Sequence, residues 1–368
     1  MNDEEYMREA IALGEKGRVT APPNPWVGCV IVKNDKVIGK GFHRAVGEPH
    51  AEINALCDAR EDVAGATLYC TLEPCSHYGR TPPCTKALIE AKIRKVVFAV
   101  KDPDTNVNGK GSQHLRDAGI EVVAGIGENE ATQSLQPYLW HRLTGKPFCI
   151  VKAAVSIDGR VAAADNSSQW ITDAEARQDS HRLRSESQAI LVGSNTAIKD
   201  KPQLTARYGK QIRQPLRVIL DSTGKVVPPS PLFDLSLAKT VIFTSNESSS
   251  HMRKIWNEYG VEVVEVKKQG SGLDLVAVLS YLGKKGVLQL LVEGGGTVIG
   301  NFFREHLINQ MVIYTGPRIL GDSGVPLFMD TTIPNINQAP QLQLIRSTTI
   351  NNTVKSVYSM PKKATPHS

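Results

Sequence analysis

Apolar side chains at Tyr6, Met7, Ala10, Ile11 and Leu13 recur among charged neighbours at the spacing of one helical face, which predicts an amphipathic helix over 3–17. The pattern then shortens. VGCVIVKND and KVIGKGFH flank a turn at Asn34-Asp35, a helix opens near His50, and ATLYCTL, CTKALIEAK and KVVFAV follow as strand, helix and strand. DAGIEVVAGIG and a helical ATQSLQPYLWHRLTG close this first series. Strands alternating with helices predict an α/β sheet covered on both faces.

Gly145-Lys146-Pro147 is a turn-forming triplet and marks the expected boundary between domains 1–145 and 146–368. Beyond it FCIVKAAVSIDGRVA reads as a strand and DAEARQDSHRLRSES as a helix. AILVG, LRVILD, TVIFT, VEVVEV and LQLLVEGGG are near-continuous apolar runs, as expected of strands buried on both sides of a sheet. There is no internal repeat, and low complexity is confined to NESSS and the tail PKKATPHS.

Composition narrows the class. With 41% hydrophobic and 22% charged residues in 368, the chain is globular, and disordered or collagen-like classes are excluded. No stretch approaches the length of a membrane span, and the acidic N-terminus lacks a basic start followed by an apolar run, so a cytoplasmic location is expected. Six irregularly spaced cysteines make no disulfide framework; reduced thiols are expected. The formal charge of +6 divides into −2 over residues 1–145 and +8 over the remainder. A basic second half favours anionic ligands. With aromatic content at 6% and no basic strip interleaved with aromatics, small phosphates are preferred over nucleic acid.

Candidate chemistry in the first domain centres on GEPHAEINAL and TLEPCSHYGRTPPC. His50, Cys75 and Cys84 supply the three nitrogen and sulfur ligands of a catalytic zinc, leaving one position for water. Glu52, two residues after His50, is placed to move protons without being a ligand. HAE followed by PC matches the zinc-deaminase pattern, but eight residues separate Cys75 from Cys84 where that pattern has two. The alternatives are unconnected core cysteines, or a closed structural site with His77 as fourth ligand, in which Glu52 and Pro74 would have no purpose. Cys29, Cys57, Cys70 and Cys149 are expected to be packed thiols.

In the second domain Glu293 stands between an apolar strand and three glycines that open a helix, a turn that admits phosphate to backbone N–H groups. It is not G-x-G-x-x-G, and no acidic residue follows about twenty positions on, so a standard dinucleotide fold is disfavoured. Lys152, Asp158, Ser168, Trp170, Arg184, Thr196, Asp200, Arg207 and Ser222 are expected near strand ends or in the loops after them, where open α/β sheets bind ligands.

PNPWVGCV, GEPHAE and TLEPCSHYGRTPPC together resemble the deaminase half of the bifunctional riboflavin biosynthesis family, whose distinguishing mark is the long loop between the cysteines. VKAAVSIDGRVA, SSQWITD, LVGSNTAIKDKPQLTAR, LRVILDS and VEGGGTVIGNF resemble its reductase half, so the likeness covers nearly the whole chain. It implies a cytidine-deaminase-like α/β/α domain followed by a dihydrofolate-reductase-like α/β domain. It implies deamination of a diaminopyrimidine ribosyl phosphate, then reduction of ribosyl to ribityl with NADPH. On this basis Asn24, His43, His77, Arg80 and Thr81 would contact the first substrate. Lys152, Asp200 and Glu293 would act at the second reaction, with Ser168, Arg184, Leu204, Arg207 and Glu293 holding its substrate. The cofactor would lie against Ala154, Trp170, Thr196, Asp200, Ser222 and the turn Gly294, Gly295, Gly296, Thr297, Val298, Ile299 and Gly300. The family commonly has an acid after Asp200 where this chain has Lys201, expected on the loop exterior.

Two other readings stand at this point: a deaminase with a degenerate second half, and a nucleic-acid deaminase. The second lacks both the short P-C-x-x-C loop and basic-aromatic strips. Neither membrane nor nucleic acid is an expected partner, and exposed sheet edges predict a homo-oligomer.

Overall fold

Asn2 sets the start of the first helix: its side chain accepts from the Glu5 N–H, while the Glu5 carboxylate accepts from the Asn2 N–H. That helix, α1 (Asp3–Gly14), opens the computed structural model, which describes residues 1–76, 82–104, 108–209, 213–270 and 272–361. The chain divides into two units, Met1–Lys146 and the part from Pro147 onward.

In the first unit β1 (Gly28–Lys33) and β2 (Lys36–Phe42) form a hairpin, with Asn34 and Asp35 at φ 52° and 60°. Two left-handed residues in succession match the right-handed twist of the strands they join. Then come α2 (Ala51–Asp58), β3 (Thr67–Leu72), α3 (Cys84–Glu90), β4 (Lys95–Val100), α4 (Lys110–Asp117), β5 (Glu121–Ala124) and α5 (Glu128–Thr144). The sheet order is β2-β1-β3-β4-β5, with β1 antiparallel to both neighbours and β3, β4 and β5 parallel. The polarity pattern did not mark α4: Leu115 is its only large apolar residue, so no face recurs.

Helix α2 carries the chemistry of this unit and seats on the hairpin through Gly41, where an added Cβ would lie 2.2 Å from the Ala51 carbonyl oxygen. The neighbour is backbone and has no rotamer to yield. Gly41→Ala is expected to cost roughly 1–3 kcal/mol, the range for overpacking, and to lower deamination further by shifting α2. Chemical denaturation and an ammonia assay on the same sample check both.

The second unit contains β6 (Phe148–Val155), β7 (Arg160–Ala162), α6 (Ala174–Glu186), β8 (Ala189–Gly193), α7 (Ser194–Asp200), β9 (Leu216–Leu220), β10 (Thr240–Thr244), α8 (Ser250–Glu258) and β11 (Glu262–Glu265). It continues through β12 (Lys268–Gln269), β13 (Gly272–Leu273), α9 (Leu275–Lys284), β14 (Gln289–Val292), α10 (Gly296–Arg304), β15 (Gln310–Thr315), β16 (Val325–Pro326), β17 (Gln343–Ile350) and β18 (Thr353–Ser359). Nine strands make one sheet in the order β11-β10-β9-β8-β14-β6-β15-β18-β17. From β11 through β15 the pairing is parallel; β18 and β17 are antiparallel additions. Alternate residues of the central strands feed two apolar clusters, one holding Val151, Leu191 and Leu290, the other Ile150, Ile190 and Leu291.

Three expectations are corrected here. The single strand expected over FCIVKAAVSIDGRVA is two, because the Ser156 N–H and hydroxyl turn the chain back through Arg160. Helices α7, α8 and α9 and strands β15, β17 and β18 were not among the expected elements, although Met252, Ile255 and Trp256 recur on one face of α8. Cys57 is exposed, whereas Cys29, Cys70 and Cys149 are buried as expected. Among the described residues no helix is long and apolar enough to cross a membrane.

Candidate active sites

In the first unit a cavity of about 360 Å³ is lined by Asn24, His43, His50, Glu52 and Cys75, among others. His50 is the N-cap of α2, Cys75 follows β3, and Cys84 is the first residue of α3. Strand and helix ends thus bring together residues far apart in sequence. Their ligand atoms all lie within 4.8 Å of one another, the only such cluster among the described residues. His50 Nδ1 is 3.3 Å from Cys84 Sγ and 3.5 Å from Cys75 Sγ. Two sulfurs and an imidazole nitrogen converging beside a cavity are the donor set of a catalytic zinc site with one side left for substrate.

The thiols share their protons unevenly. Hydrogen bonds from the Cys84 thiol, His50 and the Cys84 N–H pull the Cys75 thiol well down, while Cys84, tied to Cys75 and buried, is pushed up. A bound cation favours deprotonation of both. Glu52, in the first turn of α2, is only 4% exposed, and burial pushes its carboxyl up.

Asn24 Nδ2 is 3.0 Å from His43 Nε2, and His43 Nδ1 is 3.1 Å from the Pro49 carbonyl oxygen. These contacts assign the imidazole proton to Nδ1 and make Nε2 the acceptor from Asn24. Burial lowers the His43 pKa, which keeps that acceptor available. His77, Arg80 and Thr81 lie outside the described residues.

The cavity also holds residues that the sequence reading missed. Asp102 accepts from the Tyr138 hydroxyl at 3.1 and 3.2 Å, and burial pushes its carboxyl up to about 6. Arg142 stacks over the Tyr138 ring and lies 3.4 Å from Asp104. The only advance signal for the two aspartates was DPDT after a strand, a combination common in surface loops, and Tyr138 and Arg142 lay unmarked in the helical ATQSLQPYLWHRLTG.

A second cavity, about 790 Å³, opens over the carboxyl ends of β6, β8, β9 and β14 in the second unit. It gathers Lys152 and Ala154 from β6, Ser168 and Trp170 from the following loop, and Arg184 from α6. Thr196 and Asp200 come from α7, Leu204 and Arg207 from the segment after it, and Ser222 from beyond β9. Glu293 and the turn Gly294–Ile299 complete the wall. Two expected residues do not line it. At Gly300 a Cβ would meet the Met329 carbonyl oxygen at 2.1 Å, so its role is helix packing. Asp158 is bound by the Ser156 hydroxyl and the Leu320 and Gly321 N–H groups, making it a loop brace. Lys201 is exposed and does not line the cavity.

Arg184 forks onto Glu293, Nε to Oε1 at 3.0 Å and Nη2 to Oε2 at 2.6 Å. Although burial opposes ionisation, Arg184 and Lys152 hold the Glu293 carboxyl down at about 2. It is therefore a fixed negative charge rather than a proton donor. Burial lowers the Lys152 amine, Glu293 partly restores it and Arg184 lowers it again. The glycine turn fits a phosphate: Gly295 caps α10, and a Cβ there would meet only Thr196 Oγ1, at 3.7 Å. His181, which the sequence reading did not single out, also lines this wall.

Residues 1–100 match the cytidine and deoxycytidylate deaminase zinc-binding region, and residues 147–356 match the RibD C-terminal domain. The riboflavin biosynthesis protein RibD of Chlamydia pneumoniae is 46% identical over 96% of this chain and 95% of its own. That of Escherichia coli is 39% identical over 93% and 95%. The solved structure of Acinetobacter baumannii RibD superposes with TM-score 0.88 at 37% identity, covering 98% of this chain and 99% of its own. A Thermotoga maritima structure, described as a diaminohydroxyphosphoribosylaminopyrimidine deaminase/5-amino-6-(5-phosphoribosylamino)uracil reductase, gives TM-score 0.86 at 33% identity with the same coverage. A zinc-type deaminase unit followed by a reductase unit, matched along nearly the full length of such relatives, places this chain in the RibD family of bifunctional riboflavin biosynthesis enzymes.

Proposed function

We propose that this chain removes the ring amine of 2,5-diamino-6-ribosylamino-4(3H)-pyrimidinone 5′-phosphate hydrolytically, then reduces the ribosyl group of the resulting 5-amino-6-(5-phosphoribosylamino)uracil to ribityl. The observation that carries this reading is the cluster of His50, Cys75 and Cys84, of which His50 and Cys75 line one cavity together with buried Glu52, while Lys152 and the Arg184–Glu293 pair line another.

His50, Cys75 and Cys84 would hold zinc, which when bound supplies a Lewis acid that makes water nucleophilic near neutral pH. Glu52 takes the proton of the attacking water, passes it to the ring nitrogen next to the amine-bearing carbon, and returns a proton to the amine as ammonia leaves. Asn24, braced by His43, offers its amide to the base.

In the second cavity NADPH, when bound, supplies the hydride. Ala154, Trp170, Thr196, Asp200, Ser222 and the 294–299 turn would hold it. The Lys152 ammonium protonates the ribosyl ring oxygen as its bond to the anomeric carbon breaks, leaving an imine carbon ready for reduction. Glu293 keeps Lys152 protonated. Arg207 binds the substrate phosphate, with Ser168 and Leu204 lining the same pocket. The partners are small phosphorylated molecules and, through the exposed edge strand β17, further copies of the chain in the cytoplasm; nucleic acid and membrane are not among them.

The test supplies the diaminopyrimidine ribosyl phosphate with NADPH and follows ammonia release and NADPH oxidation together, before and after chelation. Both signals are expected, and both should vanish on chelation while the deaminated substrate still oxidises NADPH. Ammonia without NADPH consumption would refute the second activity.

A further inference from the structure

We propose that His181 is a positioning residue of the second cavity: as a neutral imidazole it aims the Arg207 guanidinium at the substrate phosphate without cancelling its charge. The inference rests on the assignment of Arg207 to that phosphate.

His181 lies on α6, three residues before Arg184 and four after Arg177, so all three share the face turned to the cavity. Arg207 Nη2 is 2.9 Å from His181 Nε2. A guanidinium has only donors, so the imidazole nitrogen opposite must offer a lone pair. The proton therefore belongs on Nδ1, which is buried and makes no hydrogen bond among the described residues. The surroundings enforce this. Burial, Arg184 and Arg207 oppose protonation, against the smaller effects of Glu293 and Thr205, and hold the ring down at about 4.

The other contacts of Arg207 are equally neutral: Nη1 donates to Thr205 Oγ1 at 3.0 Å and to Gln203 Oε1 at 3.3 Å. Among the described residues no carboxylate forms an ion pair with it. Arg184 is the opposite case, its charge matched by Glu293. Of two arginines in one cavity, one is neutralised and the other is oriented by neutral acceptors. Only the second arrangement leaves a full positive charge for a phosphate, and His181 is what ties that charge to helix α6.

The test is a series at position 181, with steady-state reduction of the phosphorylated substrate and of its phosphate-free riboside. His181→Leu removes the acceptor and is expected to raise KM for the phosphorylated substrate roughly tenfold, the loss of one hydrogen bond to a charged group, with kcat within about twofold. KM for the riboside should not move. His181→Gln keeps a neutral acceptor and should recover most of the loss. His181→Glu keeps an acceptor but neutralises Arg207, so its KM for the phosphorylated substrate should be at least as high as that of the Leu variant. NADPH affinity, read by fluorescence, should be the same in all three.

Equal KM changes for both substrates, a fall in kcat instead, a Glu variant that works as well as Gln, or a shared loss of NADPH binding would each overturn the proposal. Arg207→Gln separates it from the underlying assignment. If that variant keeps the preference for the phosphorylated substrate, the assignment of Arg207 fails. If it loses the preference while His181→Leu keeps it, only the role of His181 fails.

Discussion

Glu52→Gln is expected to keep its metal and lose deamination by about 10²–10⁴-fold, the span of a general acid–base group, while reduction of the deaminated substrate continues unchanged. The substitution is nearly isosteric and neutral. Glu52 is buried beside the His50, Cys75 and Cys84 cluster but contributes no atom to it, so the ligand set survives. Burial already disfavours the charged carboxylate at this position, so removing the charge should not unfold the unit. What the amide cannot do is take a proton from water and return it to the leaving amine. Metal content by elemental analysis, read beside ammonia release, decides the matter. A variant that keeps its zinc and its turnover would sink the proton-transfer role, and one that loses both would make Glu52 a support for the ligands.

The difference between the two sites in how far the sequence foretold them is physical. His50 and Glu52 stand two residues apart on one helix start, and Cys75 and Cys84 bracket one loop, so local spacing reports three-dimensional proximity. Asp102, Tyr138 and Arg142 reach the same cavity from a loop and from the far end of α5. Their types are common on any surface, and only the fold makes them neighbours. His181 is the same case: in DAEARQDSHRLRSES it is one polar residue among many, and its meaning comes from Arg207, twenty-six positions away. The elements missed follow a parallel logic. α9 buries Leu275, Val278, Leu279 and Leu282 on one face, but apolar Val276 and Ala277 off that face blur the contrast in the sequence, and β17 is exposed along almost its whole length, so it has no apolar face to read. The central parallel strands were legible because burial on both faces leaves a continuous apolar run. The same property hides their register, so pattern alone could place Lys152 and Glu293 near strand ends but could not show Arg184 closing on Glu293.

Lys152→Met is expected to lower the reduction step by about 10²–10⁴-fold, with ammonia release intact and NADPH affinity within a few-fold of the parent. Methionine fills the same volume on β6, and Glu293 keeps its two bonds from Arg184, so no buried charge is orphaned by the change. Because the amine must be protonated to give its proton to the ring oxygen, reduction should fall as pH rises through the Lys152 pKa. Burial has lowered that pKa, and Glu293 partly restores it. Glu293→Gln removes the restoring charge and leaves Arg184 unneutralised, two changes that act in the same direction. Both disfavour the ammonium, so the alkaline limb of the rate profile should move to lower pH than in the parent. A pH–rate profile measured with the deaminated substrate and saturating NADPH reads the shift directly. A limb that stays in place, or moves to higher pH, would show that the titrating acid is not Lys152 and would return the proton-donor role to Asp200 at the end of α7.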